Sequence, residues 1–287
     1  MTAESFAATR LIVQAPDIDT PVLKTLAKLA GAARIDAVSR GADQAFALTP
    51  AAAAAEVFAY CAQQSLDCAF VPPAQRLHRV RLLAMDMDST LITIECVDEI
   101  ADMMGIRQEV AAITASAMRG EIDFRESLTR RVALLRGLDI DALQRVYDER
   151  LELSPGAERL LAGMRAVGAQ SLLVSGGFTF FTERLKARLG LDHTCANTLE
   201  VAEGKLTGRL IGAIVDAEAK AACFERLRAK LVADGGLAVA IGDGANDLPM
   251  LKAADISVAY RAKPIVRARA TYAIDCCGLD AVLNLFT

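Results

Sequence analysis

The sequence predicts an α/β fold, a parallel sheet with an inserted helical cap, preceded by a small α+β domain. After residue 79, short apolar runs alternate with helical stretches, which is typical of a layered α/β structure. The first two runs are separated by a long and almost wholly helical segment, although a crossover between parallel strands needs only one helix. The extra helices predict the cap. Residues 1–75 follow a different order, with two strands adjacent along the chain, which predicts the small domain.

Residues 1–75 form the predicted small domain. We expect Thr49-Pro50 to open its second helix, because a threonine cap followed by proline in the first turn favours helix initiation, and the alanine run 51–55 to continue it. The order of elements is βαββαβ, which is that of a ferredoxin-like sandwich. Its elements are a strand at 10–14, a helix at 20–29, strands at 34–38 and 45–48, the second helix, and a strand at 67–71. Residues 72–81, with two prolines and several basic side chains, serve as the linker.

Residues 79–287 form the predicted α/β unit, with a Rossmann-like parallel sheet. The apolar runs at 80–85, 170–174 and 237–241 are its predicted strands. The helical cap is expected over residues 96–160. Because ligands bind at the carboxyl ends of the strands in such sheets, we expect the polar residues that follow each run to share one crevice.

The composition is that of an ordinary globular protein, with 53% hydrophobic and 24% charged residues. The net charge of −4 argues against a nucleic-acid-binding surface. No apolar run approaches the roughly 20 residues of a membrane-spanning helix, and residues 1–5 lack the features of a secretion signal, so a cytoplasmic protein is expected. Seven cysteines without a C-x-x-C pair favour reduced thiols over a disulfide framework or a zinc site.

Two acids, Asp86 and Asp88, follow the first apolar strand directly. A buried unpaired charge is costly, so acids at this point indicate a site rather than packing. One carboxylate beside a divalent cation can attack phosphorus and form an aspartyl phosphate. A second can protonate the leaving oxygen and then activate water. A solvated pair at a strand end is the alternative, and these two residues alone do not decide between them.

Two further groups follow the other predicted strands. Ser175 and Gly176 come after the second strand at the start of a helix, where a hydroxyl and exposed amides can bind phosphate. Asp243, Asn246 and Asp247 come after the third strand, in a glycine-containing turn. Oxygen ligands of this kind suit Mg²⁺, which favours one or two carboxylates together with water and substrate phosphate.

In this order, and with Lys220 between the last two groups, the motifs resemble those of the haloacid dehalogenase superfamily of phosphohydrolases. Lys220 by itself would be interpreted as a solvated helix lysine. Glu95, shortly after the first acids, and Arg131, at the end of the segment 124–131, narrow the resemblance to the phosphoserine phosphatase family. The resemblance spans nearly all of residues 80–260.

The resemblance implies hydrolysis of O-phospho-L-serine to L-serine and phosphate through an aspartyl phosphate, the last step of serine biosynthesis. It implies one Mg²⁺ per active site, with Glu95 on the substrate ammonium and Arg131 on the substrate carboxylate through a guanidinium fork. The implied roles are catalysis by Asp86 and Asp88; metal binding by Asp86, Asp243 and the main-chain carbonyl of Asp88; substrate binding by Glu95, Arg131, Ser175, Gly176, Lys220 and Asn246; support of the metal or of Lys220 by Asp247; and an apolar cap lining of Met118 and Phe124.

Three alternatives remain open at the level of the sequence. A phosphomutase would share the motifs, as would a phosphatase for another small phosphate such as phosphohomoserine. In a phospho-accepting receiver domain, Asp86 would accept phosphate without turnover, but such a domain needs no helical cap and gives Glu95 and Arg131 no role. Superfamily dehalogenases lack an acid at the position of Asp88, so its presence favours a phosphate ester as substrate.

The small domain resembles the ACT-like regulatory modules of some phosphoserine phosphatases. This resemblance depends on the predicted βαββαβ order alone. The domain is a candidate for binding an amino-acid effector, for homodimerisation, or for covering apolar surface. We expect a small-molecule substrate as the main partner, and neither nucleic acid nor membrane.

Overall fold

The computed structural model describes residues 9–232 and 235–287, and these form a small and a large β-sheet. The first part of the chain folds into the small sheet and two helices. The strands are β1 (Arg10–Ala15), β2 (Arg34–Ala37), β3 (Gln44–Thr49) and β4 (Asp67–Val71). The helices are α1 (Thr20–Ala30) and α2 (Ala55–Gln63).

The small sheet is antiparallel, with the strand order β2-β3-β1-β4 of a ferredoxin-like sandwich. Successive residues of a strand point to opposite faces, and β1 shows the consequence. Leu11 and Val13 pack with α1 and α2, whereas Ile12 and Val71 belong to the core of the larger unit. Both faces of the small sheet are therefore covered, one by its own helices and the other by the rest of the protein.

The second helix of this unit begins at Ala55, so the prediction that Thr49-Pro50 opens it is wrong. Thr49 is still the last residue of β3, paired with Arg34. The amide of Ala52 donates to the carbonyl of the last residue of α1 at 3.1 Å. The strand pairing of Thr49 and the hydrogen bond of Ala52 hold the start of the alanine run 51–55 outside the helix.

The large sheet is Rossmann-like, and every neighbouring pair of its strands is parallel except the pair at one edge. The three predicted strands lie together at its centre. The other four were not predicted. The strands are β5 (Val80–Met85), β6 (Gln170–Phe178), β7 (His193–Ala202), β8 (Lys205–Ile211), β9 (Leu237–Gly242), β10 (Ile256–Tyr260) and β11 (Tyr272–Ile274). Their order in the sheet is β11-β10-β9-β5-β6-β7-β8, and the antiparallel pair is β7 and β8.

A helical cap is inserted between β5 and β6. Ile92 pairs with Leu153, and the amide of Thr93 donates to Glu152 at 3.0 Å, so the chain leaves and re-enters the sheet unit at one place. Four helices lie between these points, and a fifth returns the chain to β6. The helices are α3 (Cys96–Met103), α4 (Arg107–Met118), α5 (Phe124–Leu134), α6 (Asp141–Glu149) and α7 (Ala157–Ala166). The predicted fold class is confirmed.

The remaining helices cover the large sheet. They are α8 (Thr179–Leu189), α9 (Ala217–Leu231), α10 (Leu248–Ala253) and α11 (Pro264–Arg267). Alternate residues of β5 enter the cores on opposite faces: Leu82 belongs to the same core as Phe224 of α9, and Leu83 to the same core as Phe181 of α8. Over the ranges described, none of the helices is both long enough and apolar enough to span a membrane.

Cys195 in β7 and Cys223 in α9 form a disulfide, so the preference for reduced thiols is wrong for this pair. The two residues are 28 positions apart in the sequence, and only the crossover from β7 to α9 brings them together. Rules based on closely spaced cysteines do not detect such a pair. The other described cysteines are free thiols.

Candidate active site

The carboxyl ends of β5, β6 and β9 lie side by side at one edge of the large sheet. Met85, the last residue of β5, is in register with Leu173 of β6 and Ile241 of β9. The predicted acids and asparagine, and the serine and glycine, follow these three residues within a few positions in the sequence, so these side chains and amides lie at the same edge of the sheet. A cavity of about 500 Å³ opens there, between the sheet and the cap. The predicted site residues that line it are Asp86, Asp88, Glu95, Met118, Phe124, Arg131, Gly176, Asp243 and Asn246.

Asp86 is buried at the point where β5 turns into a short π-helical turn. Its Oδ1 accepts a hydrogen bond from the amide of Met87 at 2.7 Å, and its Oδ2 lies 2.8 Å from Nζ of Lys220. Burial, and then the charge of Asp247, raises the pKa of Asp86 well above its ordinary value, while Lys220 opposes this effect. A carboxylate that is held at both oxygens and borders the cavity is suited to act as a nucleophile.

Both carboxylate oxygens of Asp88 accept hydrogen bonds. Its Oδ1 accepts a hydrogen bond from the amide of Cys96 at 2.9 Å, and its Oδ2 accepts one from the hydroxyl of Ser175 at 3.3 Å. Burial raises the pKa of Asp88, although these hydrogen bonds oppose the shift. Because it lines the cavity and, unlike Asp86, forms no ion pair with Lys220, this acid is suited to exchange protons with a substrate there.

Lys220 projects from α9 beneath the cavity floor and is 1% exposed. Its Nζ lies 2.8 Å from Asp86 and 2.9 Å from Asp247. Burial alone would lower the pKa of Lys220, but the two carboxylates raise it above its ordinary value, so the side chain remains charged. The alternative of a solvated helix lysine is wrong. Asn246 is also close, with its Nδ2 at 3.4 Å from Oδ2 of Asp86.

Three carboxylates form an acidic cluster: oxygens of Asp86, Asp243 and Asp247 lie within 4.8 Å of one another. Asp247 is largely committed to other partners, because its Oδ2 accepts hydrogen bonds from the amides of Asp243 and Gly244 at 3.2 and 3.1 Å, and its Oδ1 accepts one from Lys220. Burial, and then Asp247, raises the pKa of Asp243. Three carboxylates beside one lysine leave negative charge uncompensated, and their oxygens are the ligands of a hard divalent cation.

A turn of one serine and two glycines ends the apolar part of β6. Oγ of Ser175 accepts a hydrogen bond from the amide of Gly177 at 2.8 Å. A Cβ at Gly177 would lie 2.9 Å from Oδ2 of Asp88, so only glycine allows this approach to the acid. A Cβ at Gly176 would lie 3.1 Å from the ring of Phe124, which shows that the cap packs directly on the turn.

The cap side of the cavity carries the acidic side chains of Glu95 and Asp98 and the basic side chain of Arg131. Glu95 accepts a hydrogen bond from the hydroxyl of Ser89 at 2.7 Å, and burial, followed by the charge of Asp88, raises the pKa of Glu95 to about 7. Nε of Arg131 is buried and has no hydrogen-bond partner among the described residues, and burial lowers the pKa of this arginine. Met118 lies at the cavity mouth with 76% of its surface exposed.

Several residues at the site were missed by the sequence predictions, and three of them contact predicted site residues. The hydroxyl of Thr90 donates to Asp243 at 3.0 Å, and its position inside the first motif was the available signal. Asn197 of β7 donates to the carbonyl of Gly176 at 2.8 Å, and an asparagine between Ala196 and Thr198 gave no clear signal in the sequence. Lys263 lines the cavity, and its amide donates to the carbonyl of Asp243 at 3.1 Å, with no local signal in the sequence.

Comparison with protein families identifies the larger unit. The haloacid dehalogenase-like hydrolase family matches residues 83–252, which is more than half of the chain. A second family, a domain of unknown function, matches residues 11–57 in the small unit. The first match covers the three strand ends and the whole cap, so it includes every residue of the cavity described above except Lys263.

Individual relatives narrow the family. The phosphoserine phosphatase of Polaromonas sp. is 52% identical over 218 residues, which cover 74% of this chain and 92% of that protein. The structure of the probable phosphoserine phosphatase of Vibrio cholerae, in an unliganded form, covers 99% of this chain and 87% of its own with 35% identity and a TM-score of 0.85. A substrate-bound phosphoserine phosphatase structure covers 72% of this chain and 99% of its own, with 36% identity and a TM-score of 0.66.

The family match over residues 83–252 includes the acidic cluster, the serine-glycine turn, Glu95 and Arg131. The identity to the first relative, over most of both chains, is well above the level at which family membership is in question. The chain therefore belongs to the haloacid dehalogenase-like hydrolases and, among them, to the phosphoserine phosphatases.

Proposed function

We propose that the chain hydrolyses O-phospho-L-serine to L-serine and phosphate. The observation that carries this proposal is the division of one cavity of about 500 Å³ between two kinds of groups. On the sheet side lie the groups for a phosphate, and on the cap side lie Glu95 and Arg131. Phosphoserine has the matching arrangement, with a phosphate at one end and an ammonium and a carboxylate at the other.

The cap side accounts for recognition of an amino acid. Arg131 has a buried Nε without a partner among the residues described, so a substrate carboxylate would satisfy an otherwise costly group. A guanidinium binds a planar carboxylate through two parallel hydrogen bonds. Glu95 lines the same cavity and would bind the ammonium. A phosphate ester without these two charged groups would leave Nε of Arg131 without a partner among the described residues and Glu95 without a cation to bind.

The chemistry proceeds in two steps on Asp86. In the first, a carboxylate oxygen of Asp86 attacks phosphorus, the bond from phosphorus to the serine oxygen breaks, and Asp88 donates a proton to that oxygen. In the second, Asp88 removes a proton from water, which attacks the aspartyl phosphate and releases inorganic phosphate. Ser175, the amide of Gly176 and Lys220 stabilise the negative charge on the phosphoryl oxygens in both steps.

We expect one Mg²⁺ in the acidic cluster. Asp86 and Asp243 would hold it together with the main-chain carbonyl of Asp88, while Asp247 supports Lys220 and the turn from the side. Asp247 is the third carboxylate of the cluster but already accepts four hydrogen bonds. When bound, the cation neutralises charge on the phosphoryl oxygens.

The cap excludes water during transfer. Phe124 packs against the serine-glycine turn, and Met118 lies exposed at the cavity mouth, where it can close over a bound substrate. An enclosed site strengthens every charge interaction inside it and limits attack by bulk water on the intermediate.

Phosphate release from O-phospho-L-serine tests the proposal, with phosphohomoserine, O-phospho-L-threonine and glycerol phosphate as comparison substrates. We expect many turnovers with phosphoserine in the presence of Mg²⁺, and loss of activity when EDTA removes it. Formation of an isomeric ester without free phosphate would instead indicate a phosphomutase. A single turnover per chain would indicate a receiver domain. Faster hydrolysis of phosphohomoserine would change the substrate but keep the reaction.

The proposed domains are residues 1–75, ACT-like, and residues 79–287, the phosphatase unit with its cap over about 96–160, in a cytoplasmic enzyme of serine biosynthesis. An amino-acid effector or a homodimer at the small domain remains a proposal. Inhibition of the full chain by L-serine tests the effector. A component that phosphoserine cannot overcome would indicate a second site, whereas purely competitive inhibition would indicate product binding alone.

A further inference from the structure

Asn197 connects two loops that carry phosphate-binding groups. It lies in β7, is 2% exposed and does not line the cavity. Its Nδ2 donates to the carbonyl of Gly176 at 2.8 Å and to the carbonyl of Val215 at 3.4 Å. Its Oδ1 accepts a hydrogen bond from the amide of Val215 at 2.8 Å. One side-chain amide therefore fastens the turn after β6 to the segment that precedes α9.

The first connection continues to the proposed acid. The carbonyl of Gly176 and the amide of Gly177 belong to the same planar peptide, so a bond to one end orients the other. The amide of Gly177 donates to Oγ of Ser175 at 2.8 Å, and the hydroxyl of Ser175 donates to Asp88 at 3.3 Å. Hydrogen bonds linked in this way polarise one another, and the geometry of each depends on its neighbours.

The second connection continues to the lysine. Val215 is followed by Asp216, the residue that caps α9, and the amide of Lys220 donates to the carbonyl of Asp216 at 2.9 Å. Lys220 then reaches Asp86 from the first turns of that helix. A displacement of Val215 would move the start of α9 and, with it, the ammonium group.

We propose that Asn197 is a positioning residue for phosphoryl transfer. It holds the turn after β6 and the start of α9 at a fixed distance, so that Ser175, the amides of the turn and Lys220 all face the same phosphoryl group. This inference rests on the proposed function, since it deepens the account of that site. Asn197 acts only through these groups and touches no substrate atom.

Asn197→Asp is the principal test. The substitution keeps the size of the side chain, removes the donor to Gly176 and places a negative charge against two carbonyl oxygens. We expect kcat/KM for phosphoserine to fall about 10–100-fold, as is usual when a residue that orients active-site groups is lost, with most of the fall in kcat. The affinity for orthovanadate, a mimic of the transferring phosphoryl group, should weaken in parallel. Competitive inhibition by L-serine, which lacks the phosphate, should stay near the wild-type value.

Asn284→Asp is the matched control. Asn284 is also 2% exposed, donates from Nδ2 to Gln14 at 3.0 Å and accepts from the amide of Arg40 at 2.8 Å, far from the cavity. It should lower the unfolding temperature as much as Asn197→Asp does and leave kcat/KM unchanged. Equal losses of activity in both variants, or wild-type orthovanadate affinity in Asn197→Asp, would overturn the inference.

Two measures keep the test decisive. If Asn197→Asp does not fold, as judged by circular dichroism, Asn197→Ser removes the same donor without adding a charge, and the same losses are expected. If the wild-type chain shows no turnover of phosphoserine, the proposed function is wrong. Calorimetric binding of orthovanadate to the wild-type and variant chains then still decides whether Asn197 positions the phosphate groups.

Discussion

Lys220 shows how single side chains set the chemistry of this site. A lysine that is 1% exposed is costly unless it is paired, and here it is paired with both Asp86 and Asp247. This pairing keeps the ammonium charged and places it next to Oδ2 of Asp86. Asp88, only two residues further along, has no such cationic contact within hydrogen-bonding distance among the described residues and is suited to carry a proton. Two acids of the same type therefore suit the different roles proposed for them because their neighbours differ.

Replacing Asp86 by Asn tests the assignment of the nucleophile. The amide oxygen can still accept a hydrogen bond from Lys220, so the fold should persist, but a neutral amide does not form the aspartyl phosphate. We expect kcat to fall by several orders of magnitude. Asp102→Asn is the control, because Asp102 forms only partly exposed ion pairs on the cap. Wild-type phosphate release by the Asp86→Asn chain would contradict the mechanism.

Replacing Glu95 by Gln tests recognition of the ammonium. A hydrogen bond to a charged group contributes roughly 1.5–3 kcal/mol, so we expect KM for phosphoserine to rise about 10–100-fold, with a smaller change in kcat. Because the raised pKa of Glu95 is about 7, the wild-type side chain loses its charge as the pH falls below that value. KM of the wild type should therefore increase with falling pH, whereas KM of Glu95→Gln should lack this dependence. Measuring KM from pH 8 downward checks both expectations.

The residues that the sequence identified and those it missed differ in a physical respect. Asp86, Ser175 and Asp243 come shortly after apolar runs in the sequence, so their position can be inferred from the local pattern and from the parallel arrangement of the sheet. The contacts of Asn197 join residues 18 and 21 positions away, and they exist only once β7 lies beside β6. Lys220 was identified from its place in the order of motifs, because the sequence around it is that of a solvent-exposed helix.

At the scale of secondary-structure elements, the N-terminus of α9 is held by two contacts of one residue. Asp216 caps this helix, accepting a hydrogen bond from the amide of Ala219 at 3.0 Å, and also pairs with Arg125 of the cap at 2.6 Å. The cap of a helix is worth about 1 kcal/mol, and an ion pair with an arginine that is largely exposed is worth less. The capping bond is therefore the larger of the two contributions, and it fixes the turn from which Lys220 projects.

Two substitutions of Asp216 separate these contributions. Asp216→Asn keeps a good capping residue and weakens only the ion pair, so we expect a loss of less than about 1 kcal/mol in the free energy of unfolding. Asp216→Ala removes both, and about 1 kcal/mol more should be lost. Urea denaturation followed by circular dichroism measures the difference. Equal losses in the two variants would show that the cap contributes nothing.

Two elements show where prediction from pattern ends. The second helix was expected from Thr49-Pro50, a favourable start by local rules, but pairing of Thr49 with Arg34 extends β3 through that position. Tertiary hydrogen bonds thus override a local preference. The hairpin of β7 and β8 was not predicted, because the two strands are mostly half-exposed and lack a clear apolar alternation.

At the scale of the whole molecule, the small domain is fastened to the large one by buried polar contacts. Asp67 of β4 is 4% exposed, and its carboxylate accepts hydrogen bonds from the amides of Asp275, Cys276 and Cys277 at 2.8–3.2 Å. Ile12 and Val71 add apolar contact on the same face of the small sheet. The segment after β11 therefore obtains its hydrogen bonds from the small domain, and the two units stabilise each other.

Replacing Asp67 by Ala tests this dependence. The amide of Cys277, which is buried, and those of Asp275 and Cys276, which are partly buried, would lose their acceptor; an unpaired buried donor costs about 1–3 kcal/mol, so we expect the free energy of unfolding to fall by on the order of 3 kcal/mol. Asp36→Ala is the control, since Asp36 forms only an exposed ion pair with Arg34, and its loss should change stability by no more than about 0.5 kcal/mol. Urea denaturation measures both. If Asp67→Ala unfolds like Asp36→Ala, the amides find other partners and the small domain is not needed to hold the end of the chain. If instead the loss is large while kcat of the folded fraction is unchanged, the small domain serves the stability of the phosphatase unit independently of any effector.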